Sequence, residues 1–389
     1  MTKRIKLKDI ATVITKGTTP TSLGYDFVDT GINFIKIESI TEEGAFLKDK
    51  FAHINEDCNR KLNRSQLKEN DILFSIAGVI GRVAIATKDI LPANTNQALA
   101  IIRIPDGLYD YDFLKYVLRS STIVKQFEKR KQGVAQLNIS LKNIGDFEIP
   151  FPSLEEQQHI ATILDRVSKL INIQKKQLSK LDELVKARFI ELFGDVSNSP
   201  KYSGVPLGTI CSTLSGGTPT TKIPAYYQGD IPWISTPYLG NNHINGSSAK
   251  AYITEDAIKN SATHLIPANT IMFGIRVGVG KSSIIDEPMC ANQDIVALMG
   301  IDNNKYNLLF VKHVLDSYQS HFDSIKKGAT ILGITTDDLK KVMIPVVDME
   351  LQNQFATFVE LTDKSKLTIQ QSLEKLETLK KSLMQKYFG

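Results

Sequence analysis

The sequence predicts an α+β protein: two pseudo-symmetric mixed α/β lobes joined by two long antiparallel coiled-coil helices. Three observations carry this expectation, and the first is that the chain repeats itself. LKDIATVITKGTTP from Leu7 returns as LGTICSTLSGGTPT from Leu207, and KQGVAQLNISLKNIGDFEIPFP from Lys131 returns as KKGATILGITTDDLKKVMIPVV from Lys326. The offset is 200 residues between Leu7 and Leu207 and 195 between Pro150 and Pro345, so a few deletions separate the copies. Units of this size close their own cores, unlike solenoid repeats of roughly 20–50 residues. Second, residues 153–193 contain neither Pro nor Gly. Third, the apolar residues of that run step by alternating threes and fours, which is a heptad seam.

Each lobe carries short β-type runs: Ile32–Ile37, Ile72–Ile76 and Ala98–Ile104 in the first, and Ile231–Ile234, Ile271–Ile275 and Ile295–Leu298 in the second. A helix is expected after each set, over Tyr111–Lys131 and Lys305–Lys327. Proline punctuation at IPFP (Ile149–Pro152) and IPVV (Ile344–Val347) closes the lobes. The long helix then opens on Ser153, an N-cap residue with Glu155 and Glu156 in its first turn, and ends before Gly194. About forty residues at ~1.5 Å each make a rod of roughly 60 Å. The expected divisions are 1–152 and 195–347 for the lobes, and 153–194 and 348–389 for the helices.

The first seam reads Leu164, Val167, Ile171, Gln174, Leu178, Leu181, Val185, Arg188, Leu192. Shifted by 195 residues, the second reads Val359, Thr362, Lys366, Ile369, Leu373, Leu376, Lys380, Leu383, Tyr387. A small lobe cannot cover such a stripe, so each helix is expected to cover the other's, antiparallel because the chain must return. The polar seam residues fix register at some cost in stability. A plain coiled-coil spacer is one reading. EEQQHIATIL and ELQNQFATFV, with extra apolar residues beyond one seam, suggest docking surfaces instead.

With 42% hydrophobic and 23% charged residues in 389, the chain has the composition of a globular protein and not of a disordered one. No apolar run approaches the ~20 residues that span a bilayer, and MTKRIKLKDI alternates charge with apolar residues where a secretory signal carries an apolar block. A cytoplasmic protein is expected. Three cysteines, Cys58, Cys211 and Cys290, are too few for a disulfide framework and form no CxxC pair, so they read as reduced small hydrophobes. A net charge of +5 permits a polyanionic partner without demanding one. A two-fold protein suits a two-fold ligand, and duplex DNA is the obvious candidate.

RVGVGKSS (Arg276–Ser283) looks like a phosphate-cradling loop but fails on spacing, because Ile275 stands where a Walker A loop needs its first glycine. The matching AGVIGRVA has Arg82 in place of Lys281 and no hydroxyl after it. What the copies share is a glycine and then a cation after an apolar strand, apt for a phosphate backbone. The histidines show no metal-ligand spacing, and no GxGxxG or adenine-methylating NPP[YF]-type motif is present, so no catalytic centre is expected in this chain.

The candidate DNA contacts come in pairs. Lys16, Thr18 and Thr19 of one hydroxyl-rich loop are answered by Thr218, Thr220 and Lys222, which suit phosphate oxygens or an ordinary surface turn. Asn96-Gln97 is answered by Asn292-Gln293, amides able to pair with adenine or to cap a strand end. Lys131 before Gln136 and Asn138 is answered by Lys326 and Lys327 before Thr330: the basic frame repeats while the presumed reading residues change. Lys36, Arg276 and the aromatics Tyr226 and Trp233 complete the set, core packing being the ordinary use of such aromatics.

The order of lobe, helix, lobe, helix, with GTTP and GGTPT, GDIPWI, GVAQLNIS and GATILGIT, and above all IPFPSLEEQQHIATILDRVSKLI, resembles the specificity subunits of type I restriction-modification enzymes over the full chain. The second copy departs from that last signature, with Glu350-Leu351-Gln352 and Phe355 where the first has Glu156-Gln157 and Ile160. The resemblance implies that each lobe is a target recognition domain for half of a bipartite DNA sequence. It also implies that the helices are conserved spacers docking two methyltransferase subunits through Glu156, Gln157, Ile160, Leu164, Gln352, Phe355 and Val359. S-adenosylmethionine, ATP and Mg would belong to the methyltransferase and motor/nuclease partners, with no cofactor or metal in this chain. The reading from another class is a coiled-coil scaffold whose lobes bind protein.

Overall fold

A computed structural model describes residues 3–128, 138–328 and 332–389. The chain forms two compact units, Met1–Lys175 with Gln371–Gly389, and Lys176–Gln370, so each long helix starts in one unit and finishes in the other. Compactness thus cuts across the sequence divisions at 153 and 348, because each helix half is buried with a lobe.

In the first unit the order is β1 (Arg4–Lys6), β2 (Val13–Lys16), β3 (Ile32–Ile35), β4 (Ala52–Ile54), α1 (Glu56–Lys61), β5 (Ile72–Ser75), β6 (Val83–Ile85), β7 (Ala93–Thr95) and β8 (Leu99–Arg103). Then come α2 (Tyr111–Leu118), α3 (Ser121–Glu128), α4 (Leu141–Gly145), β9 (Glu148–Pro150) and the start of α5 (Leu154–Phe193). Strands β2-β8-β5-β6 form an antiparallel sheet, β4-β3-β7 a mixed one, and β1 pairs with β9. Strand β5 is apolar without alternation because both its faces are covered. Ile72 and Phe74 face a core shared with α2 and α5, whereas Leu73 joins Ile35, Ala93 and Ile101 beneath the mixed sheet.

The second unit continues with β10 (Gly194–Asp195), β11 (Ser199–Pro200), β12 (Gly204–Pro206), β13 (Ser212–Ser215), β14 (Ile231–Ile234), β15 (His243–Ile244), β16 (Ala251–Ile253), α6 (Glu255–Lys259) and β17 (Thr270–Gly274). It closes with β18 (Ser282–Ile285), β19 (Cys290–Ala291), β20 (Ile295–Met299), α7 (Leu308–Ser317), α8 (Gln319–Ile325), α9 (Thr336–Lys340), β21 (Met343–Pro345) and α10 (Met349–Phe388). The sheets β13-β20-β17-β18-β15, β16-β14-β19 and β12-β21 repeat the first unit's plan with one strand added. The core rule repeats too: Ile271 and Phe273 face one core and Met272 the other.

The single helices expected over Tyr111–Lys131 and Lys305–Lys327 are each two helices. In the first unit Ser120 ends one turn by donating to Val117 O and caps the next by accepting from Ile123 N through its Oγ. In the second, Asn307 caps a later start at Leu308, and the break falls at Tyr318, whose hydroxyl is drawn to Val196 O.

Ser153 Oγ accepts from Glu156 N to cap α5, and Gly194 ends it in the left-handed conformation. Within the first unit, Leu164, Val167 and Ile171 of α5 are buried, and Leu164 shares its core with Leu383, Met384, Tyr387 and Phe388 of α10. Farther along, Gln174 Nε2 donates to Ser372 Oγ at 2.7 Å and Lys175 pairs with Glu377 at 3.0 Å. Rising numbers on α5 meet falling numbers on α10, so the helices run antiparallel there. The same holds within the second unit, where Asp182 meets Lys366 at 2.7 Å and Phe189 and Phe193 pack on Phe355. Lys380 on the seam is half-buried, and desolvation, with Arg119 nearby, holds its pKa below the usual range.

His313 of α7 is mostly covered between Phe189 and Phe355, its side chain 14% exposed, and desolvation lowers its pKa from 6.5 to about 4. Asp316 and Asp363 pull it up, while Lys312 and Lys366 push it down further. A neutral imidazole in the fold and a titrating one in the unfolded chain means that stability is full above pH ~6.5 and lost as pH falls toward ~4. The expected loss is roughly 3 kcal/mol. Denaturant unfolding of wild type across that window should show it, and His313→Leu should flatten the profile.

Candidate nucleic-acid interface

The paired loops singled out in the sequence converge at one end of each sheet. In the first lobe Lys16 ends β2 beside Ala100, and Ser75 ends β5 beside Leu99, the first residue of β8. Gly17 N donates to Asn96 O, and a Cβ on Gly17 would lie 1.7 Å from Thr95 O, so the hydroxyl loop approaches the Asn-Gln loop more closely than any side chain allows. Thr19 Oγ1 donates to Gln97 Oε1 at 2.5 Å and fastens the two. Ile76 N donates to Ala98 O and Ile139 N to Ile76 O, which brings in the loop after β5 and the segment at Asn138.

The second lobe draws the same segments together. Gly216 N donates to Ile295 O, Gly217 N to Ala291 O and Thr218 Oγ1 to Gln293 Oε1. Ile275 N donates to Asp294 O and Ile334 N to Ile275 O. Four chain segments are therefore gathered at the same sheet end twice, the bonds of Ile76 and Ile275 being equivalent and those of the hydroxyl loops shifted by a residue or more. The loops after β5 and β17 turn alike, with Gly81 N donating to Ser75 O and Gly280 N to Gly274 O. Lys281 N donates to Gly278 O, so these amides serve the turn itself and do not cradle a phosphate as a nucleotide loop does.

Individual residues fare differently. Thr18, Asn138, Thr220, Lys222, Lys281 and Lys327 keep full or partial exposure, and Lys16 is half-buried. Lys36 lies over the Phe27 ring at 4.3 Å, just past the end of β3. Asn96 Oδ1 accepts from Ala98 N, which makes it a strand-end cap. Lys326 pairs with Asp323. Arg82, expected to face a phosphate, is instead turned inward, where its Nη1 donates to Ile37 O and Ile40 O at the turn after β3. Trp233 is likewise a core residue, its Nε1 donating to Gly217 O and its ring edge-on to Tyr227, in a cluster that half-buried Tyr226 packs against. Lys131, Gln136 and Thr330 lie outside the described residues. Asp294 went unnoticed in the sequence, although aligning the copies would have set an acid against Ala98. Exposed Val79 and Val277 on the loop tips carried no signal within apolar runs.

Among the described residues no cluster of His, Cys, Asp and Glu is arranged to hold a metal, and no helix is long and apolar enough to cross a membrane. The three cysteines are unpaired. Burial pushes the thiols of Cys211 and Cys290 up to about 11.

The family model for the type I restriction modification DNA specificity domain matches the chain twice, over residues 2–183 and 201–380. The chain belongs to that family. It is 30% identical to the type I restriction enzyme EcoR124I/EcoR124II specificity subunit of Escherichia coli over 58% of this chain and 57% of that one, so it spans little more than half of that relative. It is 25% identical to the putative type I restriction enzyme MjaX specificity subunit of Methanocaldococcus jannaschii over 97% of this chain and 91% of that one. The crystal structure of the type I restriction-modification system S subunit from M. genitalium shares the fold, with a TM-score of 0.59 at 16% identity over 100% of this chain and 96% of that one.

The helix-start signature that carries the resemblance works inward. Gln157 Oε1 accepts from Asp110 N at 2.8 Å and its Nε2 donates to Pro152 O at 3.0 Å. Gln352 does the same for Asn307 N and Val347 O, and adds Lys305 O. Ile160, Leu164, Phe355 and Val359 lie in the lobe cores, so these residues and the two glutamines are not a docking face; of the expected set, Glu156 is exposed. The extra apolar residues of EEQQHIATIL and ELQNQFATFV are there because the lobe covers them. The departure seen in the second copy spares the glutamine, which both helices keep. Gln352→Ala should cost roughly 1–3 kcal/mol in denaturant unfolding by stranding buried partners. Glu156→Ala should stay within about 0.5 kcal/mol of wild type.

Proposed function

We propose that this chain is the DNA sequence-specificity subunit of a type I restriction-modification complex, each lobe reading one half of a bipartite, asymmetric target. The observation that carries this is the duplicated loop cluster. One backbone frame is held at the same sheet end in both lobes, while the side chains on it differ. Two frames alike but differently furnished suit two half-sites of different sequence. Hydroxyls and lysines at the rim serve phosphates, and this part of the binding is steeply salt-dependent.

The helices set the unread gap between half-sites and dock two methyltransferase subunits. Exposed apolar residues support the docking: Leu170, Ile173 and Leu379 in the first unit, and Leu184, Leu361 and Leu367 in the second. Leu184 and Leu379 are equivalent positions 195 residues apart, so one exposed leucine of this set recurs in both copies. Catalysis lies with the partners, as do S-adenosylmethionine, ATP and Mg, and a cytoplasmic address follows from working on cellular DNA.

Removing one heptad from both helices should shorten the unread spacer and leave each half-site intact, as read by sequencing of methylated bases. An unchanged spacer contradicts a gap set by the helices. In binding assays with the methyltransferase partner, specific duplex should be preferred by a factor on the order of 10³ or more over non-specific duplex, with affinity falling steeply as salt rises. A protein-binding scaffold would show neither.

A further inference from the structure

We propose that Arg276 reads a guanine in the half-site of the second lobe and that Asp294 positions it; this rests on the reading of the lobes as recognition domains. Arg276 sits at the front of the loop after β17 with its side chain 55% exposed, and Nη1 is 4.0 Å from Oδ1 of the 16% exposed Asp294. The other carboxylate oxygen, Oδ2, accepts from Asn292 Nδ2 at 3.2 Å within the same loop, and the Asp294 backbone is tied to the arginine's loop by Ile275 N donating to Asp294 O. Gly333 backs the arginine's stem: a Cβ there would lie 2.7 Å from Ile275 O and 3.0 Å from Arg276 Cγ.

The duplicate supplies the control. Ile76 and Ile275 make the same bonds, to Ala98 and Asp294 on one side and to Ile139 and Ile334 on the other. Those bonds place Ala77 opposite Arg276, Ala98 opposite Asp294 and Asn138 opposite Gly333. Three touching positions thus change together. The lobe with a long cation has a carboxylate beside it and a glycine behind it, whereas the lobe with alanine has neither.

Guanine, rather than phosphate, follows from the charges. A carboxylate beside the guanidinium repels a phosphate oxygen but leaves the neutral O6/N7 edge of guanine welcome, and the remaining N–H donors form a fork that fits that edge. Asp294 touches no base in this arrangement and acts by aiming the fork.

The test uses the full chain assembled with its methyltransferase partner. Affinities are measured for duplexes altered one base pair at a time. Arg276→Ala and Arg276→Lys should each reduce the preference at one G·C position of one half-site by about tenfold or more, leaving the other half-site unchanged. Asp294→Asn should weaken preference at that same position while overall binding persists, and Asp294→Glu should restore it in part. The inference is overturned if Arg276→Lys keeps full preference, or if Arg276→Ala weakens all sequences equally and makes the salt slope shallower by about one, which marks a phosphate contact. It is equally overturned if Arg276→Ala changes nothing. Wild-type complex without base preference in either half-site would sink the underlying reading instead.

Discussion

The buried glutamine at the start of each long helix is the constraint on which the architecture turns. Gln157 and Gln352 each take the first amide of a lobe helix cap and give their own amide protons to the chain just before the long helix. Buried and satisfied in this way, an amide is hard to replace, because any substitute leaves polar groups stranded. It fixes the direction in which α5 and α10 leave their lobes. At the far end of each helix a phenylalanine completes the joint. Phe388 packs on Phe113 in the first unit, and Phe193 on Phe310 in the second. Each lobe therefore grips the beginning of one helix and the end of the other, which is why the compact units ignore the lobe-and-helix divisions of the sequence.

Much of this was legible from the residues. The duplication and the two uninterrupted heptad runs gave the layout, since period and punctuation are local signals and both copies carry them. Strand cores were also readable, although their ends were placed a residue or two wide. What stayed hidden was tertiary. Nothing local announces that Ser120 ends one helix and caps the next, or that Tyr318 is drawn to Val196. The apolar excess at the helix starts looked like a surface because a sequence does not reveal which faces a lobe will cover. Arg82 looked like Lys281 on paper, yet one points in, to the carbonyls of Ile37 and Ile40, and the other stays exposed.

The loop clusters divide along the same line. Their convergence was foreshadowed by paired motifs, but the bonds that produce it are backbone bonds, which sequence does not display. Thr19 with Gln97 and Thr218 with Gln293 show the amide oxygens, the same in both copies, spent on fastening loops together. Reading capacity then shifts to positions where the copies diverge. Divergence on a shared frame lets one fold carry two specificities, because changing a loop side chain leaves the frame's hydrogen bonds untouched.

The account depends most on the claim that one chain lends two separate sequence preferences to a methyltransferase. Single-molecule sequencing of modified bases in cells with the gene intact and deleted measures this directly. The account predicts that one interrupted, non-palindromic motif, with two specified halves around a fixed gap, is methylated in the intact cells and unmodified in the deleted ones. A lost motif that is continuous or palindromic, or no lost motif at all, would contradict it.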